Sequence, residues 1–89
     1  MKLDQVNIAM RQNLGTRIRQ LREERGMSQR VFADMVSVSR SYLIGVEKGR
    51  CNISIDNLGK IARGFDIPLS EMVRGIDAFA YEHIDPPED

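Results

Sequence analysis

The sequence predicts an all-α fold of five short helices, and three observations predict it. Apolar residues recur at steps of three and four along most of the chain. Ser28, Ser39 and Ser54 each stand at a helix start, framed by an apolar residue before and another four after. No segment alternates apolar and polar residues for long enough to make a strand.

Val6, Met10, Leu14, Ile18 and Leu21 lie on one helical face, with Arg17, Arg19, Arg22, Glu23 and Glu24 between them. Helix 1 is expected from about Asn7 to Arg25. Asp4 is a cap for a longer version, Gly15 a possible break, and Gly26 the left-handed stop. Ser28, with Met27 and Phe32 as its staple, opens helix 2, which runs to Val36 with Phe32, Ala33 and Val36 inward. Ser39, with Val38 and Leu43, opens helix 3, which runs to Lys48 with Leu43 and Val46 inward. Ser54, with Ile53 and Leu58, opens helix 4, which runs to Phe65 with Ile55, Leu58, Ile61, Ala62 and Phe65 inward. A short helix 5 follows Pro68 and holds Leu69, Met72 and Val73. It extends through Ile76 and Phe79 unless Gly75 ends it. Residues 1–13 form a partly helical extension, 14–76 the domain, and 77–89 a frayed tail containing Asp85-Pro86-Pro87-Glu88-Asp89.

A chain of 89 residues makes one small domain. At this size folding buries only ~60% of the unfolded chain's surface, which leaves little room for a substrate-and-cofactor cavity. One cysteine, Cys51, and one histidine, His83, supply neither a disulfide framework nor a four-ligand zinc site within one chain. No apolar run is long enough to span a membrane, and the first residues lack a signal-peptide pattern. A cytoplasmic protein with no cofactor, no metal and no small-molecule ligand is expected. There is no room for a separate sensor domain, so control is expected through concentration and dimerisation.

Net charge is zero, but its distribution is lopsided. Residues 1–50 carry ten Lys and Arg against five Asp and Glu, and residues 51–89 carry three against eight. A basic half joined to an acidic half suggests one surface turned toward a polyanion.

Helices 2 and 3 are joined by only Ser37 and Val38. Two short helices with so tight a link cross steeply, which is the geometry of a helix-turn-helix. Ala33 is small where the two approach. Arg40, Ser41, Ile44 and Lys48 lie off the core face of helix 3. Gly45, costly inside a helix by ~1 kcal/mol relative to alanine, suggests close approach of a bulky object.

Leu14-Gly15-Thr16-Arg17-Ile18-Arg19-Gln20-Leu21-Arg22, Gly26-Met27-Ser28-Gln29, Phe32-Ala33, Ser39-Arg40-Ser41-Tyr42-Leu43, Glu47-Lys48-Gly49-Arg50 and Leu58 with Ile61-Ala62 follow in order. At these spacings they resemble the phage-repressor and Cro-type helix-turn-helix regulators, the XRE family, over roughly Leu14 to Val73. Arg40-Ser41-Tyr42 with Gly45, Glu47, Gly49, Asn52, Ser54 and Asn57-Leu58 is similar to the controller proteins of restriction–modification systems.

The resemblance implies a compact five-helix, lambda-repressor-like domain that binds double-stranded DNA as a homodimer. It implies that helix 3 enters the major groove, with Arg40 and Ser41 at base-contacting positions. It places Gln29, Ser39, Tyr42, Lys48, Arg50 and Asn52 near backbone phosphates, with Gln29 also bracing helix 3. It pairs Arg22 with Glu47. Physical chemistry adds that an arginine at the start of such a helix presents two donors to guanine, and that Ile44 suits a thymine methyl. Ile67, Leu69, Met72, Val73 and Ile76 exceed what one short element buries, which suggests a dimer interface, with Val6 and Met10 as the alternative. Three positions depart from the family pattern. Ser37 and Asp66 stand where glycine is usual, and Gly59 where a helix former is usual.

Three other functions fit the sequence less well. An enzyme needs a positioned acid–base pair or nucleophile. His83 adjoins the acidic tail, Cys51 follows Arg50 in a loop, and Glu23 and Glu24 point apart. A protein-interaction module such as an antitoxin fits the zero net charge, but it needs no display of Arg40 and Ser41 beside Gln29. A membrane-surface helix is disfavoured by Glu23 and Glu24 on the polar face of helix 1.

Overall fold

The apolar stripe of the first helix is the floor on which the other elements pack. A computed structural model describes residues 2–78, with side chains from Asp4 onward. The helices are α1 (Lys2–Glu24), α2 (Gln29–Met35), α3 (Arg40–Glu47), α4 (Ile55–Gly64) and α5 (Leu69–Met72). The described residues contain no strand. α1 packs on α3 and α5, α2 on α3, and α4 on α5.

α1 starts earlier than the expected Asn7 and passes through Gly15 without a break. Gly15 is not a helix stop but a point of close approach. A Cβ there would collide with the carbonyl oxygen of Val46 and lie 2.6 Å from that of Glu47. The last turn of α3 therefore rests almost directly on the backbone of α1. Gly49 makes a second such contact, since its Cβ would sit 2.8 Å from Gln12 Cα.

Three helices are capped alike. The hydroxyls of Ser28, Ser39 and Ser54 accept from the backbone N–H of Val31, Tyr42 and Asn57 at 3.1, 3.0 and 3.2 Å. The residues before these caps, Met27, Val38 and Ile53, pack against the core. Each cap satisfies a donor that the first helical turn leaves open and fixes the chain's angle of entry.

The core joins Leu14, Ile18 and Leu21 of α1 with Phe32, Ala33, Val36, Leu43, Val46, Ile61, Ala62, Phe65 and Met72. The rings of Phe32 and Phe65 stack at 4.3 Å and 10°. Arg25 lies over the outer ring, 5.1 Å from the Phe65 centroid, and donates to the Phe65 carbonyl at 3.2 Å. The ends of α1 and α4 are thereby tied together.

Several expectations are corrected. Ile55 was expected inward but is 66% exposed. It continues the apolar face of α4 past the point where the core ends. Met72 was expected at a dimer interface but is fully buried in the chain's own core. Val6, part of the alternative interface, is buried within the chain as well. α5 stops at Met72, and the chain turns through 73–78, with Gly75 at φ +73°. Phe79, His83 and the expected frayed tail beyond Ala78 lie outside the described residues.

The two positions that lack the family's glycine adopt glycine's conformation. Ser37 has φ +61° and Asp66 φ +57°. Each lets the following N–H close on the preceding helix: Val38 donates to Ala33 at 3.0 Å and Ile67 to Ala62 at 3.1 Å. The left-handed region costs an L-residue about 1–2 kcal/mol, part of which glycine's greater unfolded freedom would return. Ser37→Gly should therefore raise folding stability by up to about 1 kcal/mol. Chemical denaturation of the two proteins measures the difference, and a loss of stability would show that the serine contributes a compensating contact.

Candidate nucleic-acid interface

α3 divides its residues sharply. Leu43 and Val46 are buried, and Glu47 joins them at 9% exposure. Arg40, Ser41 and Lys48 are exposed on the other side, and Ile44 is half-buried between them. The Ser39 cap begins the helix at Arg40, so Arg40 and Ser41 stand at its free N-terminal end. Among the described residues no carboxylate is in salt-bridge contact with Arg40, Lys48 or Arg50. Their charge is available to an outside anion.

A buried carboxylate holds α3 in place. Arg22 Nε donates to Glu47 Oε2 at 2.7 Å and Nη2 to Oε1 at 2.9 Å. The third nitrogen, Nη1, donates to the Met27 carbonyl at 2.8 Å. Gln29 Nε2 adds a further bond to Glu47 Oε1 at 3.1 Å. One arginine thus ties the end of α3 to the turn before α2, and one glutamine ties the start of α2 to the same carboxylate. The Glu47 hydrogen bonds raise the Arg22 pKa above its ordinary value, against the opposing effect of burial. A raised arginine pKa means that this contribution is fully present below the ordinary arginine pKa and is lost as pH rises through the raised value, in strong alkali.

Around this frame the structure gathers the other sequence-predicted residues on or beside α3. Ser39 is exposed, and its oxygen accepts the Tyr42 N–H. Arg50 and Asn52 are exposed in the segment after α3, and Gln29 and Tyr42 are half-buried. Ile67, Leu69, Val73 and Ile76 are each half-buried against the core. Gly45 has a different role from the one its position suggests. A Cβ there would stand 2.7 Å from Cys51 Sγ, so the missing side chain makes room for Cys51.

Sequence reasoning names Asn57 within the controller-like pattern but gives it no role. Its Nδ2 donates to the Tyr42 hydroxyl at 3.1 Å, across fifteen positions of sequence. Three residues after the Ser54 cap, an amide reads only as part of a helix start. Nothing local points it at α3.

A buried brace, a short link over residues 36–39 between α2 and α3, and an exposed, capped second helix define a helix-turn-helix domain. The chain belongs to the helix-turn-helix family, whose model matches residues 18–72. It is 38% identical over 64 residues to the control protein C.MunI of Mycoplasma sp, covering 71% of this chain and 86% of that protein. It is similar to the solved restriction-modification controller protein C.AhdI from Aeromonas hydrophila, with 39% identity and a TM-score of 0.67 over 68% of this chain and 92% of that one. A second controller, C.Esp1396I, solved as a tetramer in complex with its natural 35 base-pair operator, matches at 25% identity and TM-score 0.67, over 76% of this chain and 93% of that one. Other matched regulators are longer: the chain spans 49% of the Deinococcus deserti regulator DdrOP3.

Removing either partner of the Arg22–Glu47 pair should destabilise the fold by ~3–5 kcal/mol, because the survivor is left charged and buried. Replacing both with methionine should cost much less, since the desolvation of two charges is then avoided. Denaturant unfolding of Arg22→Met, Glu47→Met and the double variant measures this. Equal, additive losses would show that the two side chains are not coupled.

Proposed function

We propose that this chain is a sequence-specific transcriptional regulator that binds a palindromic operator as a homodimer, in the manner of a restriction–modification controller protein. The observation that carries the reading is Arg40, exposed and without a salt-bridge partner among the described residues, with Ser41 at the N-terminal end of α3, which Arg22, Glu47 and Gln29 brace at its other end. An arginine so placed can give two hydrogen bonds to guanine O6 and N7. Lys48 and Arg50, further along, suit phosphates, which add affinity without sequence information. Its regulatory relatives favour this reading over an antitoxin-like interaction module.

The dimer uses the half-buried Ile67, Leu69, Val73 and Ile76, with Met72 beneath them as core. A twofold dimer sets two recognition helices about 34 Å apart, one turn of DNA. Such a regulator acts by occupying its site, without a catalytic step, cofactor, metal or small-molecule ligand. It works in the cytoplasm with the DNA that it controls.

The test is a binding titration on an operator found by footprinting the DNA upstream of its own gene, and on a single-base variant of it. Arg40→Ala should cost ~1–3 kcal/mol on the operator and relax discrimination at one base pair per half-site. Arg50→Ala should weaken both DNAs alike and reduce the salt slope by about one. An unchanged discrimination ratio for Arg40→Ala would make Arg40 a phosphate contact and remove the basis of the reading.

A further inference from the structure

The bond between Asn57 and Tyr42 joins two elements that no other described side-chain hydrogen bond links, the start of α4 and the first turn of α3. Its polarity carries the inference. The Asn57 amide donates and the Tyr42 oxygen accepts, at 3.1 Å. A phenol has one proton, and that proton is not used toward Asn57. Among the described residues no acceptor takes it. The Tyr42 ring packs against the core, so its hydroxyl cannot swing away to find a partner. Its backbone is held as well, with the N–H on the Ser39 hydroxyl at 3.0 Å and the carbonyl facing the Cys51 thiol at 4.0 Å.

We infer that Asn57 is a positioning residue for DNA binding, which fixes the Tyr42 hydroxyl as a donor to a backbone phosphate oxygen. The inference rests on the DNA-binding reading of α3 and deepens it. A neutral hydroxyl held in this way gives a directional bond to a phosphate without adding positive charge. It also makes the register of α3 on DNA depend on α4. The contact differs in kind from those of Lys48 and Arg50, which act as charges and release counterions. Amide donation to the phenol oxygen polarises the O–H and strengthens the bond that it gives.

Five proteins decide the matter: wild type, Tyr42→Phe, Asn57→Ala, Asn57→Leu and the double variant of Tyr42→Phe with Asn57→Ala. Each is titrated with the operator duplex and with a random duplex, at several salt concentrations. Asn57→Leu, which keeps the bulk and removes the donor, serves as a second variant, and thermal unfolding verifies that each protein is folded. Tyr42→Phe should bind the operator about tenfold more weakly, the value of one hydrogen bond to a charged group. Asn57→Ala and Asn57→Leu should each weaken binding three- to tenfold, with the salt slope unchanged because no charge is lost. In the Tyr42→Phe background the Asn57 substitution should have no further effect. If it weakens binding equally in both backgrounds, Asn57 acts on the fold or touches DNA itself, and the inference is overturned. If Asn57→Ala binds as wild type or better, the Tyr42 proton was never directed outward, and the inference is overturned. Failure of wild type to prefer the operator over random DNA overturns instead the DNA-binding reading on which it rests.

Discussion

The two parallel hydrogen bonds from Arg22 to Glu47 are the joint on which the placement of α3 depends. They sit at the one place where α1, the start of α2 and the end of α3 converge. A buried ion pair adds little net stability, because removing two charges from water offsets most of their attraction. Its value here is directional. A guanidinium fork meets a carboxylate in one plane, so α3 is fixed in rotation as well as in position. Glycines complete the joint by letting backbones touch. Gly15 admits the last turn of α3 against α1, and Gly49 admits the following loop. With the carboxylate buried and shared between Arg22 and Gln29, the acidic residue of α3 is hidden and its basic residues are left outside.

That arrangement explains how a chain with no net charge can face a polyanion. Ten of the thirteen basic residues fall in the first fifty positions, and eight of the thirteen acids fall after them. Among the five acids of the first half, Glu47 is neutralised by Arg22, and Glu23 pairs with Arg19 at 3.1 Å on the exposed face of α1. Surface pairs of the second kind are worth little in stability. The second-half acids that the structure describes, Asp56, Asp66, Glu71 and Asp77, lie on α4, α5 and the turns beside them, where they disfavour the approach of a polyanion. Field asymmetry of this kind orients an encounter and disfavours wrong poses, at a strength that falls with salt.

The helix starts were legible in the sequence because capping is local. Ser28, Ser39 and Ser54 each announce a helix within four residues, and the structure places the helices directly after them. The resemblance marked Ser37 and Asp66 as glycine positions but left their geometry open, and the backbone keeps the left-handed turn at both without the glycine. What lay hidden depends on contacts between distant segments. Apolar spacing gives the face on which Ile55 lies, but not where the core ends along the helix, so its exposure was not readable. The same spacing cannot separate an apolar residue that faces a partner from one that faces its own core, which is why Met72 was misplaced. Gly45 reads as room for a bulky object to approach, because the cysteine that fills its space arrives from the next loop. Asn57 and Tyr42 meet only once α3 and α4 are packed together.

Sequence-specific binding requires that α3 read base edges from an orientation fixed from behind. Selection from a pool of random-sequence duplexes tests this most directly, because it presupposes no operator. Repeated rounds of capture by the wild-type chain, followed by sequencing, should enrich a motif of two half-sites related by a twofold axis. Their centres should lie about one helical turn apart, roughly 10 base pairs, with a guanine in each half-site. A bound pool that stays as random as the input would contradict the account, since α3 would then hold DNA by its phosphates alone.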